Sequence, residues 1–329
     1  MKTFTITTNE AGQRVDKWVS KIAPKLPSSL LYKSIRLKRI KVNGRRTEIG
    51  ARLQPGDRVD MYVGDEFFTG QEEKYDFLLA SPHVHILFED ENILLADKPQ
   101  GLLSHPDKNE FTDTLITRIK RYLYEKGEYD PESAGSFAPA LCNRIDRNTG
   151  GIVIAAKNAE ALRVMNEKIK AREIRKFYYC FVEGKMKKPA ATLTGFLSKD
   201  EDKNQVQIYS TGGADRPEIV TRYRVISERT LDRRAVSLLE VELLTGRTHQ
   251  IRAHFASIGH PLLGDGKYGN NLWARHLGFT HQALYAYRLA FCFTTDAGTL
   301  NYLNGQEFTV ENVWFLGLGD ETPRLKTKN

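Results

Sequence analysis

Cysteine is scarce in this chain: three in 329 residues, Cys142, Cys180 and Cys292. They are odd in number and follow no metal-ligand spacing, which excludes a disulfide scaffold and a zinc module and fits the reducing cytoplasm. No apolar run approaches the ~20 residues that span a bilayer, and Met1-Lys2-Thr3-Phe4-Thr5 lacks the apolar core of a signal peptide. There is no Walker-type phosphate loop, no dinucleotide glycine fingerprint after a strand and no nucleophile elbow. His249 and His254 are five apart, which splays them by more than a quarter turn on a helix, and no Cys or acidic cluster joins them. Neither a metal nor a cofactor is expected. Internal repeats and low-complexity tracts are absent as well.

What is present is a globular composition, 40% hydrophobic and 27% charged, in a chain long enough for about two domains. The net charge of +8 is unevenly placed. Residues 1–60 carry 14 Lys/Arg and 5 Asp/Glu, a net of +9, so the other 269 residues hold 35 against 36. Segregation of this kind points to an appended module for a polyanion.

In that module Val15, Trp18, Val19 and Ile22 form the apolar face of a helix that must end near Pro24. Ser28 or Ser29 can cap a second helix carrying Leu30, Leu31 and Ile35. A short strand at Ile40-Lys41-Val42 leads to a turn at Asn43-Gly44, and Val59, Met61 and Val63 alternate as in a half-buried strand. Two short helices followed by small strands, with Arg36, Lys38, Arg39 and Lys41 at the second helix and its exit, resemble the S4 RNA-binding domain. Residues 65–84 then read as an acidic linker.

The second domain opens with a hairpin, Ile86-Leu87-Phe88 and Ile93-Leu94-Leu95-Ala96. Further on, Arg144-Ile145-Asp146-Arg147 sets one carboxylate between two arginines, just before a turn at Asn148-Thr149-Gly150-Gly151 and an apolar strand. Such a cluster is often a solvated loop with weak ion pairs. It also suits a reacting carboxylate beside phosphate-binding groups. Asn158 can cap a helix with Leu162, Met165 and Ile169 inward. Residues 175–184 form an aromatic strand, and Leu239, Val241 and Leu243 another. The latter ends in Thr245-Gly246-Arg247-Thr248-His249-Gln250-Ile251-Arg252, where Thr248 can cap a helix.

Four segments in this order resemble one family: Phe88-Glu89-Asp90-Glu91 through Lys98-Pro99-Gln100-Gly101; Arg144-Ile145-Asp146-Arg147 with Gly151; Lys176-Phe177-Tyr178; and Thr245-Gly246-Arg247-Thr248-His249-Gln250-Ile251-Arg252 through Gly264-Asp265. The chain is similar to RluA-type pseudouridine synthases of the large-subunit rRNA kind that carry an N-terminal S4 domain. The resemblance implies an α+β fold with a bent, mainly antiparallel mixed sheet and flanking helices. It implies a division into an S4-like domain at 1–64, a linker at 65–84 and a catalytic domain at 85–329. It implies Asp146 as the catalytic aspartate, Arg144 as the arginine that helps extrude the target base, and Tyr178 as the residue packing on that base. Arg247 matches the basic partner of the aspartate, and Ile251 lines the pocket. Asn143 and Gly150 depart from the family's usual His and Ser.

The expected activity is isomerisation of uridine to pseudouridine in RNA, most simply 23S rRNA or a large-subunit precursor, with tRNA a subsidiary substrate. The enzyme is expected to work as a monomer without a membrane partner. An RNA-binding assembly factor with an idle cleft is the alternative from another class.

Overall fold

The structure is a computed structural model that describes residues 1–68, 75–132, 135–200, 205–213, 215–269 and 272–318. Glu72, Glu73 and Lys74 of the acidic segment and the basic tail at 324–329 lie outside the described residues. Two compact units are present. The first gathers Met1–Leu94, Ser104–Asn143 and Ile154–Asn166, and the second Leu95–Leu103, Arg144–Val153 and Glu167–Asn329.

The first unit begins with a four-stranded antiparallel sheet of order β1-β4-β2-β3, from β1 (Lys2–Thr5), β2 (Ile40–Val42), β3 (Arg45–Arg46) and β4 (Arg58–Met61). Helices α1 (Val15–Ile22) and α2 (Ser28–Arg36) supply Val15, Trp18, Val19, Leu31 and Ile35 to one apolar core with Ile40, Val59 and Met61. The expected serine cap of α2 is not formed: Pro27 is the N-cap and both serines lie inside the first turn. Proline's fixed φ suits that entry, and α2 draws its stability from the buried face rather than from a cap. Asn43 and Gly44 both have positive φ, 52° and 73°, as a tight hairpin turn between β2 and β3 requires.

A 3-10 turn (Asp76–Leu79), strand β5 (Ile86–Glu89) and helix α3 (Leu115–Glu125) also belong to this unit. Thr114 caps α3 by accepting from the Thr117 N–H. Asn158 does the same for α4 (Ala159–Lys170), its Oδ1 accepting from the Ala161 N–H at 2.8 Å. Both caps satisfy donors that a helix start leaves free.

The second unit is built on a mixed sheet of order β11-β10-β12-β13-β9-β14-β8. Its strands are β8 (Gly150–Ala156), β9 (Ile174–Glu183), β10 (Ala190–Asp200), β11 (Gln205–Tyr209), β12 (Glu218–Leu231), β13 (Arg234–Leu243) and β14 (Leu284–Phe291). A short β15 (Glu307–Thr309) pairs with β14. Neighbours run antiparallel except β14 and β8, which meet in parallel at Tyr285–Gly150 and Ala286–Gly151. Glycine is required at that junction: a Cβ on Gly151, whose φ is 116°, would lie 2.2 Å from the Ala286 carbonyl oxygen. One on Gly150 would lie 2.5 Å from the Tyr285 ring, which explains the small residue at that departure from the family pattern. Helix α5 (Gln250–Ser257) places Ala253 in a cluster with Leu197, Val206 and Ile219.

Candidate active site

Strand β6 (Ile93–Lys98) ends on a lysine with no solvent exposure. Lys98 Nζ donates to the carbonyls of Leu102 at 2.7 Å, Pro99 at 3.0 Å and Arg147 at 3.0 Å. Three acceptors match the three donors of an ammonium. Burial pushes its pKa down to about 7, while the charges of Asp146 and Asp97 pull it up. Gly101 donates its N–H to the Arg147 carbonyl at 2.9 Å and accepts from Arg147 Nε at 2.9 Å. The two loops are thereby laced together, and the turn carrying Asp146 is closed by Thr149 N–H donating to the Asp146 carbonyl at 3.0 Å.

The side chain of Asp146 is a quarter exposed (25%) and accepts from Arg252 Nη1 at 3.0 Å. The same guanidinium forks onto Asp265, Nε to Oδ2 at 2.8 Å and Nη2 to Oδ1 at 2.9 Å. Asp265 also accepts from the N–H groups of Lys267 and Tyr268. Burial opposes the charge on Arg252, and the two carboxylates more than restore it, so its pKa is raised. Asp265 is held below the ordinary carboxylate range by Arg252 and the two backbone donors, against burial. Asp265 therefore fixes the arginine, and the arginine presents one free edge to the more exposed Asp146. A two-point fork of this kind fixes direction as well as charge.

His249 closes the other side. Its Nε2 is 3.9 Å from Asp146 Oδ2, and its Nδ1 is 2.8 Å from the Tyr268 hydroxyl. That hydroxyl accepts from the Val206 N–H at 2.9 Å, so its own proton is available to Nδ1, leaving the Nε2 proton towards Asp146. Burial pushes the His249 pKa down, and the charge of Asp146 opposes it. The residue sits in the left-handed region, φ 53°, a strained placement of the kind found at functional sites.

Tyr178 is buried in β9, across from Val241 and Ala286. Burial, and then the charge of Asp146, push its phenol pKa up. The phenol is therefore not a standing base near pH 7. Ile251 is buried on α5, next to Arg252.

The structure thus brings together Asp146, Tyr178 and the helix of Ile251. It does not give Asp146 the partner expected from the motif. Arg247 is exposed, its backbone N–H donating to Gln250 Oε1 at 3.1 Å, and the pairing belongs to Arg252. Nor does Thr248 cap α5: His249 is the N-cap without a side-chain bond, and the Gln250 side chain ties the loop. The helix consequently starts later than expected, which puts Arg252 in its first turn. A cation there opposes the helix dipole, a conflict that the observed helix start creates and that a dedicated anionic partner resolves. Arg144 is exposed. Arg36, Lys38 and Arg39 are exposed in the first unit, with Lys41 half-buried, and Arg45 and Arg46 on β3 are exposed as well.

A model of the RNA pseudouridylate synthase family matches residues 92–257, half of the chain. An RNA pseudouridine synthase of Aquifex aeolicus is 31% identical over 288 residues, covering 82% of this chain and 86% of its own. A ribosomal large subunit pseudouridine synthase C of Haemophilus influenzae is 28% identical over 307 residues, 92% of this chain and 90% of that one. Among solved structures, human RNA pseudouridylate synthase domain containing 4 superposes with a TM-score of 0.54 at 19% identity, over 70% of this chain and 89% of that one; this likeness concerns the fold. The chain belongs to the RNA pseudouridylate synthase family. It is an isomerase that converts uridine in RNA to pseudouridine.

Proposed function

We propose that the substrate is 23S rRNA and that Asp146 is the reacting carboxylate. The observation that carries the second claim is the Arg252 bridge between Asp146 and buried Asp265. Isomerisation breaks the N1–C1′ bond, turns the base and joins C5 to C1′; C5 loses a proton and N1 gains one. Nothing is oxidised or reduced. A carboxylate beside the sugar serves either as a nucleophile that attacks C1′ and forms a sugar ester, or as a base that takes the C2′ proton and gives a glycal as the base leaves C1′. Either route needs the Asp146 carboxylate aimed, which the Arg252 contact supplies.

The uridine must leave its stack first, at a cost of a few kcal/mol. In this reading Tyr178 offers a face for the extruded base, and Arg144, which is exposed, occupies the gap. A neutral phenol can relay the C5 proton without carrying a charge of its own. Residues 1–64 act in this reading as an S4-like module, with Arg36, Lys38, Arg39 and Lys41 on phosphates, 65–84 as a linker and 85–329 as the catalytic domain. Phosphate contacts of this type orient the RNA without reading its sequence. The rRNA assignment is supported by the Haemophilus relative's name and by the segregated basic charge. The enzyme works in the cytoplasm as a monomer.

The test is single-nucleotide pseudouridine mapping of rRNA and tRNA from cells lacking the gene, then restored with wild type. Loss and recovery of one or a few 23S positions is expected. Changes confined to tRNA would replace the substrate; no change at all would favour an assembly factor with an idle cleft.

A further inference from the structure

A cleft of about 390 Å³ opens at the start of β9, lined by Lys170, Arg172, Lys176 and Arg247 together with Gly246 and Glu242. The Glu242 carboxylate is taken up by Arg175 at 2.7 Å and Arg222 at 2.8 Å, so it neutralises none of these four cations. Lys176 is the half-buried member. Among the described residues no carboxylate pairs with it, and burial lowers its pKa with nothing opposing. An ammonium withdrawn from water without a counter-ion is costly, and an entering anion offsets that cost. The Gly246 loop passes close to the ammonium: a Cβ there would make ordinary contact with Lys176 Nζ, at 3.8 Å.

Position gives the anion its identity. Lys176 and Tyr178 share a face of β9, about 7 Å apart along the strand. Arg247 lies on the loop that leads into Arg252. The cleft therefore adjoins the pocket in which the base is turned. We propose that Lys170, Arg172, Lys176 and Arg247 form a phosphodiester subsite that seats the RNA backbone next to the target uridine. This deepens the reading above and rests on Tyr178 receiving the extruded base. The arginines bring planar forks for phosphate and the lysines point charges.

The experiment compares wild type with Lys176→Met/Arg172→Met in two assays. In the first, binding of labelled oligouridylate, about 20 nucleotides long, is titrated at several salt concentrations; removing two phosphate contacts flattens the log–log salt slope by about 1.4. In the second, on rRNA from cells lacking the gene, KM rises about tenfold and kcat changes less than about twofold, the pattern of lost uniform binding. Lys176→Arg restores the slope. Arg172→Met alone alters only an exposed side chain and flattens the slope by about 0.7, which keeps the test readable if the double variant misfolds. An unchanged slope in both variants overturns the subsite, as does a fall in kcat at constant KM. If rRNA proves not to be the substrate, the oligouridylate slope still decides the subsite independently.

Discussion

Arg252 holds Asp265 with two hydrogen bonds and Asp146 with one, at 2.8, 2.9 and 3.0 Å. The buried carboxylate fixes the arginine and the partly exposed one receives it. Replacing Arg252 by Lys keeps the charge but removes the fork. Such a variant should lose at least about a hundredfold in kcat, the scale of a lost preorganised charge contact. Removing the guanidinium altogether, as in Arg252→Met, strands Asp265 and should cost about 3–5 kcal/mol in urea unfolding. Arg247→Ala should instead act mainly through KM. If Arg247→Ala stops turnover while Arg252→Lys does not, the pairing is misassigned.

Lys98→Met would leave the carbonyls of Pro99, Leu102 and Arg147 without their shared donor. At about 1–3 kcal/mol for each buried unsatisfied group, a loss of several kcal/mol is expected, together with reduced kcat from a loosened Asp146 turn. The pH dependence has a definite sign. The folded-state pKa lies at about 7, below the ordinary 10.5 of the unfolded chain. Between these values the unfolded state binds more protons, so this group makes stability rise with pH and withholds that gain as pH falls towards 7. The stability gap between wild type and Lys98→Met should widen by about 2 kcal/mol from pH 7 to 9. A constant gap across that window would contradict the lowered pKa of Lys98 in the folded state.

Gly150→Ser, which restores the residue usual in the family, should destabilise this chain by about 1–3 kcal/mol, because the new Cβ meets the Tyr285 ring. Gly151→Ala should be worse, since backbone atoms rather than a ring block it. Thermal unfolding of the two variants ranks them directly.

Neutralising Arg36, Lys38 and Arg39 together should weaken RNA binding and flatten its salt slope by about 2–3, with kcat at saturating RNA little altered. An unchanged slope would remove the basic module from docking.

Local chemistry was legible in the sequence. The α1 stripe, the Asn158 cap, the aromatic strand β9 and the Asp146 turn could be read from a few residues each. Long-range pairing was not. Lys98 looks like a surface lysine until a carbonyl 49 positions later joins its cage. Asp265 lies in a glycine-rich loop whose partner is 13 residues away. The choice between Arg247 and Arg252 turned on where α5 starts, and a left-handed histidine set that start later than a threonine cap predicts. The mixed character of the second unit's sheet depends on two glycines meeting β14 in parallel, a register no single segment encodes.

The most direct test of the account is the turnover of Asp146→Asn on the mapped rRNA, measured alongside RNA affinity. The amide keeps the shape and can still sit near Arg252, yet it can neither attack C1′ nor take a proton from C2′. Unchanged affinity with no detectable pseudouridine is the predicted result. Substantial pseudouridine formation by the Asn variant would remove Asp146 from the chemistry.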